Sequence, residues 1–163
     1  MKNGAFIAVG GDELLNQYTS KFTIDLKGFS VYPGFIDAHC HFYNFGLLQQ
    51  QLDLTGTLSF DEVIERIKGY SKSNPGVPIL GQGWDQNDWE VKTYPTKYKL
   101  DELFSDQIIA LKRVDGHALL VNQFTLDLAG IDLSTEVEGG VVVRKNGALT
   151  GVLIDNAMDQ VYE

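Results

Sequence analysis

Apolar residues first gather at residues 4–9 (Gly-Ala-Phe-Ile-Ala-Val), and Gly10-Gly11-Asp12 closes them, which predicts a short strand ending in a turn. Asp12 is placed to cap a short helix through Tyr18. Residues 22–26 alternate apolar and polar, Lys27-Gly28 follows as a turn, and Ser30-Val31-Tyr32 resumes the pattern. That is the signature of a hairpin in a small sheet. Pro33-Gly34 interrupts it. Residues 35–42 then predict a new strand, and residues 44–51 a short helix with Leu47 and Leu48 inward.

The pattern strengthens further along. Ser59-Phe60-Asp61-Glu62 matches a capping box, and Phe60, Val63, Ile64 and Ile67 recur at helical spacing until Asn74-Pro75-Gly76. Residues 77–83 predict a strand, and residues 84–89 an aromatic and carboxamide-rich loop. A short helical stretch covers 99–104. Residues 107–114 form the clearest buried strand, closed by Asp115-Gly116-His117. Residues 118–129 predict a helix ended by Gly130. Val141-Val142-Val143 and Val152-Leu153-Ile154 flank Asn146-Gly147, a pair suited to a type I′ hairpin turn. A helix is expected from Asn156 onward. Strands alternate with helices from residue 33, so the fold class is α/β, with residues 1–32 as a separate all-β prelude to 33–163.

Composition narrows the partners. The chain has 163 residues, 44% hydrophobic and 21% charged, the balance of a globular protein. Its net charge of -9 disfavours nucleic acid and anionic membrane surfaces. Cys40 is the single cysteine, which excludes an internal disulfide framework. The first residues lack the apolar run of a signal peptide, and no stretch reaches the roughly 18 apolar residues of a membrane span. A cytoplasmic location is the expectation.

Chemistry concentrates at a few positions. His39 and His41 share one face if residues 35–42 form a strand, so two imidazoles can grip one divalent metal. Asp37 falls on the same face and can fix a ligand tautomer, while Cys40 points away. On spacing alone, the pair reads equally well as surface residues of no chemical consequence. Asp115 and His117 follow the carboxyl end of a buried strand, where α/β active sites are built; the bland alternative is a helix-entry histidine. Trp84, Asp85, Asn87 and Trp89 suit a pocket rim that takes apolar groups on aromatic faces, or else a loop whose tryptophans cover the core. Asp155 is either a further metal-facing carboxylate or the N-cap of the last helix.

The string Pro33-Gly34-Phe35-Ile36-Asp37-Ala38-His39-Cys40-His41 resembles the entry motif of the metal-dependent amidohydrolase superfamily. Leu52-Asp53-Leu54, Gly83 to Trp89, Pro95-Thr96, Arg113 to His117 and Thr150-Gly151-Val152-Leu153 resemble its amidohydrolase family 3, which includes N-substituted formamide deformylases. The resemblance runs from about residue 30 to the end. It implies part of a (β/α)8 barrel preceded by part of a β-sandwich. It also implies a divalent metal, most often zinc, on His39 and His41, and a His117 that contacts substrate or the developing oxyanion. The reaction implied is hydrolysis of a small-molecule amide at a non-peptide carbon-nitrogen bond. A complete barrel needs about 250 residues. The chain is therefore expected to be an N-terminal portion, inactive by itself. The competing expectations are a non-catalytic fragment or interaction module, associating through open sheet edges or as a homo-oligomer, and a simple metal-binding protein.

Overall fold

Six strands form one mixed sheet in a computed structural model that describes residues 1–38, 40 and 42–162. The chain divides into two units, Met1–Cys40 and His41–Glu163, each considered by itself.

In the larger unit the sheet order is β1-β2-β3-β4-β6-β5. Strands β1 (Leu52–Asp53), β2 (Ile79–Trp84) and β3 (Ile109–Arg113) are parallel. Strands β4 (Ala118–Val121), β6 (Ala148–Asp155) and β5 (Gly140–Lys145) continue it in antiparallel pairing. Helix α1 (Phe42–Leu48) precedes β1, α2 (Phe60–Ser73) joins β1 to β2, α3 (Tyr98–Leu103) joins β2 to β3, and α4 (Gln123–Leu128) follows β4. Two β-α-β crossovers thus make the parallel half, because parallel neighbours cannot be joined by a tight turn.

Helix α2 forms where its cap and periodicity predict. Ser59 Oγ accepts the Glu62 amide at 3.1 Å, and the Glu62 carboxylate accepts the Leu58 amide at 2.9 Å, one residue earlier than in the usual box. Val63, Ile64 and Ile67 are buried with Ile79, Ile109 and Leu111 of the sheet. Each such side chain contributes about 1.5–3 kcal/mol on burial. Asn74 ends the helix, with its backbone and side-chain N–H groups both donating to the Tyr70 carbonyl. The β5–β6 hairpin also forms as expected, with Asn146 and Gly147 at φ of 53° and 75°, the left-handed pair that a type I′ turn requires.

Several expectations change. Residues 118–121 are a strand, not the start of a helix. All four side chains are buried between β3 and β6, and a four-residue apolar run carries no period that separates helix from strand. The helix begins only after Asn122, whose side chain accepts the Thr125 amide at 3.1 Å. The last element is a 3-10 turn, Asn156–Val161. In Met1–Cys40 the strands expected at 4–9 and 22–32 are not formed. Among the described residues that unit holds a 3-10 turn, Asp12–Asn16, and one isolated bridge between Lys2 and Ala5. Phe6, Phe22, Ile24, Phe29 and Val31 are exposed there. Short strands are held by lateral neighbours and are marginal without them. Residues 35–38 carry no strand, and α1 starts at Phe42, two residues before the expected helix.

Candidate functional site

Parallel strands point the same way, so the residues that follow β1, β2 and β3 gather at one edge of the sheet. A cavity of about 310 Å³ lies there, lined by Asp53, Thr55, Gln82, Gly83 and Val114 among others. The edge is shaped by a bulge. The β2–β3 register shifts between Gln82 and Trp84, leaving Gly83 extra, at φ 110°. A Cβ on Gly83 would stand 2.4 Å from Thr55 Oγ1, so a larger residue has neither the room nor the backbone freedom.

The bulge directs Trp84 into the core. Its indole N–H donates to the Leu111 carbonyl at 2.8 Å, and that of Trp89 to the Thr57 carbonyl at 2.9 Å. The two rings lie 6.0 Å apart, and both residues are buried. The tryptophans therefore cover the core here rather than forming an open rim. One side of Trp89 still meets a separate cavity of about 530 Å³ beside Phe60, Tyr94 and Tyr98.

Asp85, next in the chain, takes a different role. Its Oδ1 accepts the Asn87 amide at 3.0 Å and pairs with Arg113 Nη2 at 2.9 Å. Partial burial raises the Asp85 carboxyl, but the Asn87 amide and the Arg113 guanidinium outweigh it and hold it below the ordinary carboxylate value. Burial likewise opposes the charge on Arg113, yet Asp85 and Asp115 together push it above its usual value. Arg113 Nε also donates to Gln86 Oε1 at 3.0 Å. Arg113 and Gln86 were not candidates from the sequence. The available signal was a basic residue closing a buried strand in an acidic chain. Asn87 itself is exposed.

Asp115 links this half-buried pair to His117. One carboxylate oxygen pairs with Arg113 Nη1, and the other accepts the His117 amide at 3.1 Å. The His117 ring then reaches Asp155, with Nδ1 and Oδ1 2.8 Å apart. Strand register explains the meeting. Ala118 pairs with Ile154, so His117 and Asp155 face each other one step beyond the ladder, and the Asp155 amide donates to the His117 carbonyl at 3.2 Å. Asp155 sits at φ 50° and ψ -127°, a conformation that costs a non-glycine residue about 1–3 kcal/mol. Its side chain does not cap the following 3-10 turn, which removes the N-cap expectation. No sequence signal joins His117 to Asp155, because they are 38 residues apart.

His39 and His41 lie outside the described residues. Among the described residues, no group of three or more His, Cys, Asp and Glu side chains is arranged to hold a metal ion. Cys40 is exposed. No helix of the described residues is long and apolar enough to cross a membrane.

A mixed α/β sheet with an arginine, two carboxylates and an imidazole at the carboxyl ends of its parallel strands has the layout of α/β enzymes. The chain belongs to the amidohydrolase family, whose model matches residues 23–163. It is 38% identical to amidohydrolase YtcJ of Bacillus subtilis over 100% of this chain and 32% of that protein. It is 31% identical to the N-substituted formamide deformylase of Arthrobacter pascens over 85% of this chain and 27% of that protein. An uncharacterized metal-dependent hydrolase from Pyrococcus horikoshii superposes with a TM-score of 0.55 at 26% identity, over 80% of this chain and 23% of that structure. The chain thus spans about a third or less of the length of these relatives.

Proposed function

We propose that this chain is the N-terminal portion of a metal-dependent hydrolase that cleaves non-peptide carbon-nitrogen bonds of small amides. The observation that carries this reading is the family match across residues 23–163, combined with the gathering of Asp85, Arg113, Asp115 and His117 at one strand edge. The deformylase relative supports amide-type substrates, and the Pyrococcus hydrolase supports metal dependence.

The imidazoles of His39 and His41 have the donor chemistry for a divalent metal, zinc in this proposal. Such a metal supplies a water acidic enough to attack a carbonyl near neutral pH. The described residues do the positioning. Arg113 neutralises Asp85 and Asp115 and fixes the segment that carries His117. His117 contacts the substrate. Asp155 is assigned to His117, its partner at 2.8 Å, rather than to the metal. The barrel belongs to the same proposal, with further ligands and a general base supplied by sequence beyond these residues. The protein is proposed to be cytoplasmic, with no nucleic-acid or membrane partner.

The test is the reading frame downstream of codon 163, followed by assay of the protein it encodes on N-substituted formamides and simple amides. Hydrolysis is expected, with a fall of at least about 100-fold in His117→Gln and loss of zinc in the His39→Ala/His41→Ala double variant. Tight stoichiometric zinc binding with turnover by the 163-residue chain alone would refute the idea that it is only a portion. No hydrolysis by the longer protein would refute the hydrolase reading. A second reading, self-association as an interaction module, is favoured by the exposure of Phe22, Phe35 and Ile36 at 88%, 93% and 92%. A strictly monomeric chain by light scattering would eliminate it.

A further inference from the structure

We infer that Asp155 is a positioning residue that fixes His117 as a hydrogen-bond acceptor, so that this imidazole recognises an N–H or O–H group of the substrate rather than an oxyanion. The inference deepens the hydrolase reading and rests on it for the word substrate. The geometry itself stands apart from it.

An ionised carboxylate only accepts hydrogen bonds. At 2.8 Å from Asp155 Oδ1, His117 Nδ1 must therefore carry the proton. In the neutral ring this leaves Nε2 with its lone pair, and Nε2 has no partner among the described residues. A neutral imidazole in that state cannot donate to an oxyanion from Nε2. It can accept from the N–H of an N-monosubstituted amide or from a hydroxyl.

Three restraints make the arrangement more than a chance surface contact. The Asp155 amide donates to the His117 carbonyl at 3.2 Å, and the Asp115 carboxylate holds the His117 amide at 3.1 Å. These two bonds fix both backbones. The third is the backbone of Asp155 itself, held at φ 50° and ψ -127°, where glycine would be at ease. Strain of this kind at a non-glycine residue points to a side chain with a task. The side chains of His117 and Asp155 are 73% and 49% exposed, so the pair does little for stability and is free to meet a ligand.

The tautomer can be read directly. The 163-residue chain, labelled with 15N-histidine, is examined at about pH 8.5, where imidazoles are ordinarily neutral, by long-range proton–nitrogen correlation. The His117 signals are assigned by their loss in His117→Gln. The Nδ1–H form is expected to predominate. Asp155→Gly keeps the backbone conformation without strain and removes the carboxylate. It is expected to lower the ratio of the Nδ1–H to the Nε2–H form about tenfold, the scale of a hydrogen bond to a charged group. Asp115→Asn is expected to leave the tautomer as it is. An Nε2–H form predominating in the unaltered chain would overturn the inference, and that result does not depend on any variant folding. An unchanged tautomer in a folded Asp155→Gly chain would do so too. Turnover is not needed, so absent hydrolysis would refute the functional reading alone and the wrong tautomer would refute this one alone.

Discussion

One ion pair and one histidine–carboxylate hydrogen bond flank the turn between β3 and β4, and their lengths are nearly the same: 2.9 Å for Arg113–Asp85 and 2.8 Å for His117–Asp155. Their surroundings are opposite. The Arg113 and Asp85 side chains are 12% and 20% exposed, whereas those of His117 and Asp155 are 73% and 49% exposed. A half-buried pair cannot lose one partner without leaving a poorly hydrated charge. An exposed pair can, because water replaces the partner. Equal distance therefore hides a division of labour. The half-buried pair holds the strand edge together, and the exposed pair sets how one imidazole meets what arrives there.

The largest effect should come from the core beneath both pairs. Trp84→Ala is expected to destabilise the chain by about 3–5 kcal/mol in urea unfolding. A rim tryptophan would cost far less, so a small loss would return Trp84 to the pocket. Next comes Arg113→Met, which leaves Asp85 unpaired and is expected to cost about 2–4 kcal/mol. Combining it with Asp85→Asn should recover part of that loss, and no recovery would show that the two groups are not coupled.

The pH dependence sharpens the contrast. The folded Asp85 carboxyl titrates below its ordinary value, so the folded chain binds fewer protons than the unfolded one in that range. Its contribution to stability is complete above the unfolded carboxylate value, about pH 4. It is lost as pH falls through the lower folded value. Asp85→Asn should therefore flatten the acid limb, and the variant should differ from the unaltered chain more at neutral pH than in acid. Urea midpoints across pH would check this. The smallest effect on stability is expected from His117→Gln, within about 0.5 kcal/mol, even though the proposed function makes this change the most damaging to activity.

Parts of this molecule were legible in sequence where one local rule decides. The Ser59–Glu62 cap needs only four residues, and the Asn146-Gly147 turn needs two. The 107–114 strand is longer and more apolar than any competing pattern there. The Ala118–Val121 run was not legible, because burial on both faces erases the alternation that marks a strand. The strand edge was half legible. Asp85, Asp115 and His117 stood in recognisable motifs, but what they touch is decided by register and by the bulge at Gly83. Arg113 as the hub, and Asp155 as the partner of His117, depend on strands that meet only in the folded sheet.

The most direct test of the division between the two pairs is a double-mutant cycle on each, run side by side by urea unfolding near pH 7. Arg113→Met with Asp85→Asn should show a coupling of about 1.5–3 kcal/mol, and His117→Gln with Asp155→Gly a coupling below about 0.5 kcal/mol. Couplings of equal size, or a larger one for His117 and Asp155, would contradict the account.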